Sequence, residues 1–516
     1  MYVRMLKTLL TSQNVAYATT IKKIFSGITI TIKERDRIGF VGNNGVGKTT
    51  FLQLLAGTVK PDSGNVIKNG SVGYVPQIDK DVNASLTVED LLESGHCSYS
   101  KFKTTYRKIF SSEVPQADLV MSAMSGGERT KVWIALVVSS KPAVLLLDEP
   151  TNHLDATSVR ELERWIDTFS GAIVFVSHNR AFLSSIARVI WELENGAIAV
   201  YGGSYDDFLL KKQQDSAARS RDYEATKKEL RQLTEGVHMR EVRAARATTV
   251  RNNNKRQPSR DKFAEGFFRN RSEKGVGKLK IQHDAKREEL GKKLSALSQN
   301  KKKTINLGLV AESRDGSLII DTKELTVAVG TKVLIQNVQL RIGFGDRIAI
   351  QGDNGAGKTM LIKSLLREIE NPTPGKARVG IAIKTAYIDQ QYAVINLEQT
   401  VFENLERNLN VFDSERVYKQ IGRYQFSEQY VHKKAKELSG GEMARLAFAI
   451  ATITPLDLLV LDEPTNNVDI GTVAILVNAL KDFQGSLVVI SHDRAFLDEL
   501  GIQQSFIIKE QALVRA

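Results

Sequence analysis

Four motifs occur twice in this chain, in one order and at nearly one spacing, and that duplication restricts its architecture more than any other feature. Gly42-Asn43-Asn44-Gly45-Val46-Gly47-Lys48-Thr49 recurs as Gly352-Asp353-Asn354-Gly355-Ala356-Gly357-Lys358-Thr359. Ser125-Gly126-Gly127-Glu128 recurs as Ser439-Gly440-Gly441-Glu442, Leu147-Asp148-Glu149-Pro150-Thr151-Asn152 as Leu461-Asp462-Glu463-Pro464-Thr465-Asn466, and Ser177-His178 as Ser491-His492. The first offset is 310 residues and the other three are 314. Chance does not keep four motifs in register over such distances. The chain therefore reads as two copies of one domain, residues 1–204 and 312–516, separated by a segment 205–311.

Each copy alternates strand-like and helix-like stretches, which predicts an α/β fold. Arg37–Val41 is a short β-rich run into the glycine loop, and Thr49–Leu55 continues with helical spacing. Val144–Leu147 and Ile173–Val176 are apolar throughout, as strands covered on both faces of a parallel sheet must be.

Composition adds exclusions. Hydrophobic residues are 42% of the 516 and charged residues 25%, as in ordinary globular proteins. No apolar run reaches the roughly 18–20 residues of a membrane helix, and the N-terminus shows no secretory cleavage pattern. Cys97 is the single cysteine, which removes disulfides, iron–sulfur clusters and cysteine zinc sites and fits a reducing cytosol. The net charge of +13 is uneven: Lys211–Lys303 holds 27 Lys/Arg against 12 Asp/Glu, or +15, leaving 13 − 15 = −2 for the rest. An excess of that size on one segment attracts polyanions, nucleic acid first and a membrane surface as the competitor.

Strand, GxxxxGK[ST], helix is a phosphate-binding loop. Its backbone N–H groups converge on phosphate oxygens, Lys48 and Lys358 reach the β/γ-phosphates, and the hydroxyls of Thr49 and Thr359 take magnesium, with Thr50 and Met360 next in each helix. Asp148 and Asp462 each end an apolar strand and are placed to hold that Mg2+; Glu149 and Glu463 follow, placed to polarise the attacking water.

The Ser-Gly-Gly-Glu motifs resemble the signature of ATP-binding cassette (ABC) ATPases. Gln77 and Gln390 are similar to the family's Q-loop glutamine, which serves both nucleotide and metal, and His178 and His492 to its switch histidine; Asp155 and Asp469 fall where the D-loop aspartate belongs. From signature serine to glutamate is 24 residues in both copies, and from glutamate to histidine 29. The resemblance implies two cassettes closing head to tail over two ATP molecules within one chain, a monomer in solution. Lys48 would then face Ser439 and Gly441, and Lys358 would face Ser125 and Gly127. Tyr17 stands where the family stacks an aromatic on adenine; Val329 is at the matching place in copy two, and His153 is replaced there by Asn467.

Tandem cassettes around a basic insert resemble the ABC-F family, and Tyr201–Phe208 looks like that family's passage from first cassette into linker. The resemblance implies two nucleotide-binding domains joined by an α-helical hairpin (coiled-coil) linker, with cytoplasmic work on the ribosome (large-subunit ribosomal RNA and P-site tRNA) and without membrane subunits or DNA. Leu230, Leu233 and Val237 mark one helical stripe and Leu290, Leu294 and Leu297 another, with Asn252-Asn253-Asn254 and Pro258 breaking the helix between them. Forty residues of helix reach about 60 Å. The tip, about 250–270, mixes cations and rings: Arg251, Lys255, Arg256, Arg260, Lys262, Phe263, Phe267 and Phe268. Cations suit RNA phosphates and exposed rings stack on unpaired bases; the rings serve equally to cap the hairpin's apolar seam.

Gln77 to Ser125 is 48 residues and Gln390 to Ser439 is 49, so no extra arm is expected in the first interval, and with 24 residues after His492 no C-terminal extension is expected either. A long linker without an arm resembles members that protect ribosomes from large-subunit antibiotics. A housekeeping factor for stalled ribosomes is the alternative, and an ATPase subunit of a membrane transporter is a more distant one.

Overall fold

The computed structural model describes residues 6–19, 23–78, 85–253, 285–295, 318–330, 332–353, 355–366, 376–379, 383–409, 411–465, 468 and 470–516. Met1–Phe208 and Thr304–Ala516 form one compact unit, and Leu209–Lys303 a second.

In the first unit each copy is built on a six-stranded sheet. Copy one orders its strands Val72–Val75, Val144–Asp148, Ala172–Val176, Arg37–Val41, Val189–Glu194 and Ala197–Gly202. Copy two repeats this as Thr385–Ile388, Leu458–Asp462, Ser486–Ile490, Arg347–Gly352, Gln504–Lys509 and Ala512–Arg515. The first five strands of each are parallel, and the last pairs antiparallel to its neighbour. Val144–Asp148 and Ala172–Val176 are buried along their whole length, as are Leu458–Asp462 and Ser486–Ile490. This is the continuous apolar run that a doubly covered parallel strand requires.

The sheet order places function. In both copies the strand leading to the glycine loop lies inside the sheet, and the aspartate that ends the buried strand two positions away emerges at the same carboxyl edge. Ligands bind along that edge in open α/β sheets. A half-buried arginine begins each central strand and ties it to neighbouring backbone carbonyls. Arg37 donates to the carbonyls of Gly171 (2.7 Å) and Ile166 (3.0 Å), and Arg347 to those of Leu500 (2.8 Å) and Phe483 (2.9 Å).

An antiparallel layer flanks each sheet. In copy one Thr8–Ala18 pairs with Lys23–Lys33 and Ser63–Lys68; in copy two Leu325–Val329 pairs with Lys332–Val338, and Leu318–Lys323 with Arg341–Gly343 and Lys376–Val379. The helices Gly126–Ser139 and Gly440–Ala451 start at the signature motifs. Between glutamine and signature lie helices Val88–Ser94 and Tyr99–Ile109 in copy one, and Val401–Glu406, Ser414–Arg423 and Glu428–Val431 in copy two.

The described residues of the second unit are helical. A helix spans Tyr205–Asn253, and another runs over residues 285–295. Lys286 pairs with Glu229 at 2.9 Å, joining the two. Thr226 and Leu290 are buried, and Leu230 and Leu233 half-buried, so the leucine stripe faces a partner helix. Lys255, Arg256, Arg260, Lys262, Phe263, Phe267, Phe268 and Leu297 lie outside the described residues, and for Arg251 only the helical backbone is described. Among the described residues no helix is long and apolar enough to cross a membrane.

Candidate nucleotide site

Each glycine loop turns directly into a helix. Gly47 and Gly357 adopt left-handed φ values of 106° and 95° immediately before the helices Lys48–Ala56 and Lys358–Leu365. A Cβ on Gly47 would lie 2.5 Å from the Ile24 side chain, so the loop also needs the missing side chain for packing. Lys48 Nζ donates to the Gly42 and Asn43 carbonyls at 2.8 and 3.0 Å, and Lys358 Nζ to those of Gly352 and Asp353 at 2.6 and 3.2 Å. Each loop thus folds back over its own lysine. Asn44, Gly45 and Val46 complete the first loop, with Thr49 and Thr50 opening its helix. Gly355, Ala356, Thr359 and Met360 stand at the corresponding places in the second; Asn354 lies outside the described residues.

Beside each loop sit the two carboxylates. Thr359 Oγ1 donates to Asp462 Oδ2 at 2.7 Å, and in the first copy the Thr49 side chain lies beside Asp148. Glu149 and Glu463 are buried, with left-handed φ values of 51° and 49°. Such backbone is costly for a non-glycine residue and concentrates at functional sites. Burial pushes both glutamates up to about 7 and Asp148 to about 6. A carboxylate with that proton affinity suits a general base at neutral pH.

The histidines close each site. His178 donates its backbone N–H to Glu149 Oε2 at 3.2 Å, with Nε2 3.3 Å from Oε1. His492 Nε2 lies 3.5 Å from Glu463 Oε1 and 3.1 Å from Lys358 Nζ. Burial, then the Lys358 charge, push His492 down to about 4, so its ring is neutral at neutral pH. An ammonium only donates, so Nε2 accepts and the ring proton sits on Nδ1.

The signature motifs have a direct physical role. Ser125 and Ser439 are N-caps, each closing a reciprocal capping box with Glu128 or Glu442. The boxes fix the helix ends and leave the next N–H groups pointing outward, an anion-binding arrangement. Ser125, Gly127 and His153 of copy one line a cleft of about 790 Å³ together with Gly357, Lys358, Thr359, Gln390, Asp462, Glu463 and His492 of copy two. The signature of one copy and the phosphate loop of the other therefore share one cavity. Asp155, which caps helix Ala156–Thr168 through Ser158 N–H at 2.8 Å, acts electrostatically across the copies on Lys358 and His492. Arg180 pairs with Glu499 between the two histidine-bearing segments.

Other expected residues, Ser439 and Gly441 among them, do not line that cleft. Gln77 is exposed in the loop after strand Val72–Val75. The Tyr17 ring sits 6.5 Å from Phe25, centre to centre, and Val329 is half exposed. Asn467 and Asp469 fall outside the described residues.

Sequence reading missed Tyr74 and Tyr387, whose hydroxyls donate to Asp148 Oδ2 at 3.4 Å and Asp462 Oδ2 at 3.2 Å. It also missed the Arg180–Glu499 pair. The tyrosines had a signal, since each precedes its glutamine by three residues in both copies. The ion pair had none: Arg180 corresponds to Arg494, but Glu499 to Ser185.

Asp148 Oδ1 and Asp462 Oδ1 are buried and have no protein hydrogen-bond partner. Each lies beside a hydroxyl in an all-oxygen donor set, which fits Mg2+ shared with phosphates.

A family model described as "ABC transporter" matches residues 25–152 and 335–466, and a second with that description matches 191–263. The ATP-binding protein Uup of Haemophilus influenzae is 31% identical over 511 residues, covering 90% of this chain and 74% of that protein. The energy-dependent translational throttle protein EttA of Escherichia coli K12 is 30% identical over 528 residues, covering 93% and 88%. ABC transporter F family member 5 of Arabidopsis thaliana is 28% identical, covering 93% and 73%. Among solved structures, an archaeal ribosome recycling factor bound to a ribosomal stalk protein superposes with a TM-score of 0.62 at 18% identity, covering 96% of this chain and 87% of its own, a likeness of fold. With paired phosphate loops, signature caps and carboxylates on two matching sheets, this chain is an ATPase that belongs to the ABC-F family of ATP-binding cassette proteins.

Proposed function

We propose that this ATPase works on the ribosome in the cytoplasm, engaging it while ATP holds the two cassettes together and leaving it after hydrolysis. The observation that carries the reading is the cleft joining the copy-one signature to the copy-two phosphate loop. A γ-phosphate there would meet Lys358 on one side and the Ser125–Gly127 helix end on the other, so its removal weakens the union of the copies. By the same logic Lys48 meets Ser439 and Gly441 over a second ATP, within one monomer. Mg2+ would sit with Thr49, Asp148 and Gln77, and with Thr359, Asp462 and Gln390; when bound it neutralises charge on the β- and γ-phosphates. Glu149 and Glu463 take the proton of the attacking water, while His178 and His492 hold the γ-phosphate side of the site.

In this reading residues 1–204 and 312–516 are the catalytic domains and 205–311 the arm toward ribosomal RNA and P-site tRNA. The name of the Escherichia coli relative, a translational throttle protein, supports a role in translation, and the +15 charge of Lys211–Lys303 supports an RNA partner. Replacing Arg251, Lys255, Arg256 and Arg260 with Ala tests it. Ribosome binding should weaken with salt in the parent, and four lost phosphate contacts should flatten the slope of log K against log salt by about three, with ATPase activity retained. An unchanged slope, or binding to anionic vesicles in place of ribosomes, refutes the RNA reading.

A second reading, protection of the ribosome from large-subunit antibiotics, is favoured by the near-equal 48- and 49-residue intervals, which leave no arm beside the long linker. Expression in a sensitive bacterium should then raise the inhibitory concentration of lincosamide-, pleuromutilin-, streptogramin- or macrolide-type drugs, and short polar residues across 263–268 should abolish the rise. Equal values for wild type and empty vector leave the translation-factor role alone.

A further inference from the structure

We propose that Tyr74 and Tyr387 are positioning residues for the metal: each hydroxyl pins one oxygen of the adjacent aspartate so that the other stays aimed at Mg2+. The proposal rests on the Mg2+ assignment above. In copy two, Asp462 Oδ2 accepts from both Thr359 Oγ1 (2.7 Å) and Tyr387 OH (3.2 Å), whereas Oδ1 is buried with no protein donor. In copy one, Asp148 Oδ2 accepts from Tyr74 OH at 3.4 Å, the Thr49 side chain lies beside the same carboxylate, and Oδ1 is again buried without a protein hydrogen-bond partner. In both copies a tyrosine hydroxyl donates to Oδ2 and leaves Oδ1 buried and unpaired.

Sheet register explains why a tyrosine can do this. Tyr74 lies opposite Leu146, and Tyr387 opposite Val460, each two residues before the aspartate on the paired parallel strand. Side chains two apart along a strand share a face, so tyrosine and aspartate emerge on the same side of the sheet. The ring packs into the sheet core while the hydroxyl reaches the carboxylate. A buried carboxylate held by one donor can rotate; held by two on a single oxygen it cannot, and the remaining oxygen is presented in a fixed direction. Outer partners of this kind orient metal ligands, and losing one costs about tenfold or more in metal affinity. Each tyrosine also sits three residues before Gln77 or Gln390, so the strand that supplies the pin also carries the glutamine loop.

Phenylalanine keeps the ring and removes only the donor. In the full-length Glu149→Gln/Glu463→Gln protein, which keeps nucleotide intact, binding of a fluorescent ATP analogue is titrated with MgCl2 and, separately, in EDTA. Adding Tyr74→Phe and Tyr387→Phe should raise the Mg2+ concentration for half-maximal binding about tenfold, leaving metal-free binding and melting temperature unchanged. A superimposable Mg2+ curve overturns the proposal. So does an equal loss of binding in EDTA, which marks the rings as packing groups. A parent protein with no Mg2+ dependence overturns the metal assignment itself and this inference with it, a result read on the parent alone.

Discussion

Glu149→Gln with Glu463→Gln should lower ATP turnover by at least about a hundredfold, the scale of a lost general base, while leaving ATP binding nearly intact. The amide keeps the size of the carboxylate but cannot take a proton. Both glutamates are buried and held up to about 7, with strained backbone that points them inward beside the phosphate loop. Removing that charge also relieves burial, so the variant should melt no lower than the parent. Phosphate release under saturating ATP measures the effect. Turnover at the wild-type rate would remove these residues from the chemistry.

Lys48→Ala and Lys358→Ala should act on binding. Each Nζ is the one charged donor inside its loop and spans two loop carbonyls. A hydrogen bond to a charged group contributes about 1.5–3 kcal/mol, roughly ten- to hundredfold in affinity. Lys358→Ala should show a further effect, because its ammonium lies 3.1 Å from His492 and helps keep that ring neutral. Losing it raises the His492 pKa, bringing the cationic form closer to neutral pH. Isothermal titration of each variant with ATP and Mg2+ decides; unchanged affinity would contradict the loop assignment.

Much of this was legible because the chain carries its own comparison. Residues held in register over 314 positions point to shared chemistry, and the phosphate loops, capping serines and paired carboxylates are all local in sequence. What was not legible depends on neighbours far along the chain. Tyr74 meets Asp148 only through strand pairing, and Tyr387 meets Asp462 likewise. Arg180 and Glu499 break the symmetry between the copies, so no repeat could announce them. The left-handed backbone at Glu149 and Glu463 carries no residue signal, since glutamate is not a residue that favours it. The cations and rings of the linker tip remain a reading of sequence alone.

The most direct measurement is co-sedimentation of the Glu149→Gln/Glu463→Gln protein with purified ribosomes. Ser125, Gly127 and Lys358 share one cleft, and in the proposed reading a γ-phosphate held there ties the cassettes together. The variant should therefore pellet with ribosomes in ATP, stay in the supernatant in ADP, and be released as salt rises. Pelleting that is equal in ATP and ADP, or absent in both, would contradict an ATP-gated ribosome-binding ATPase.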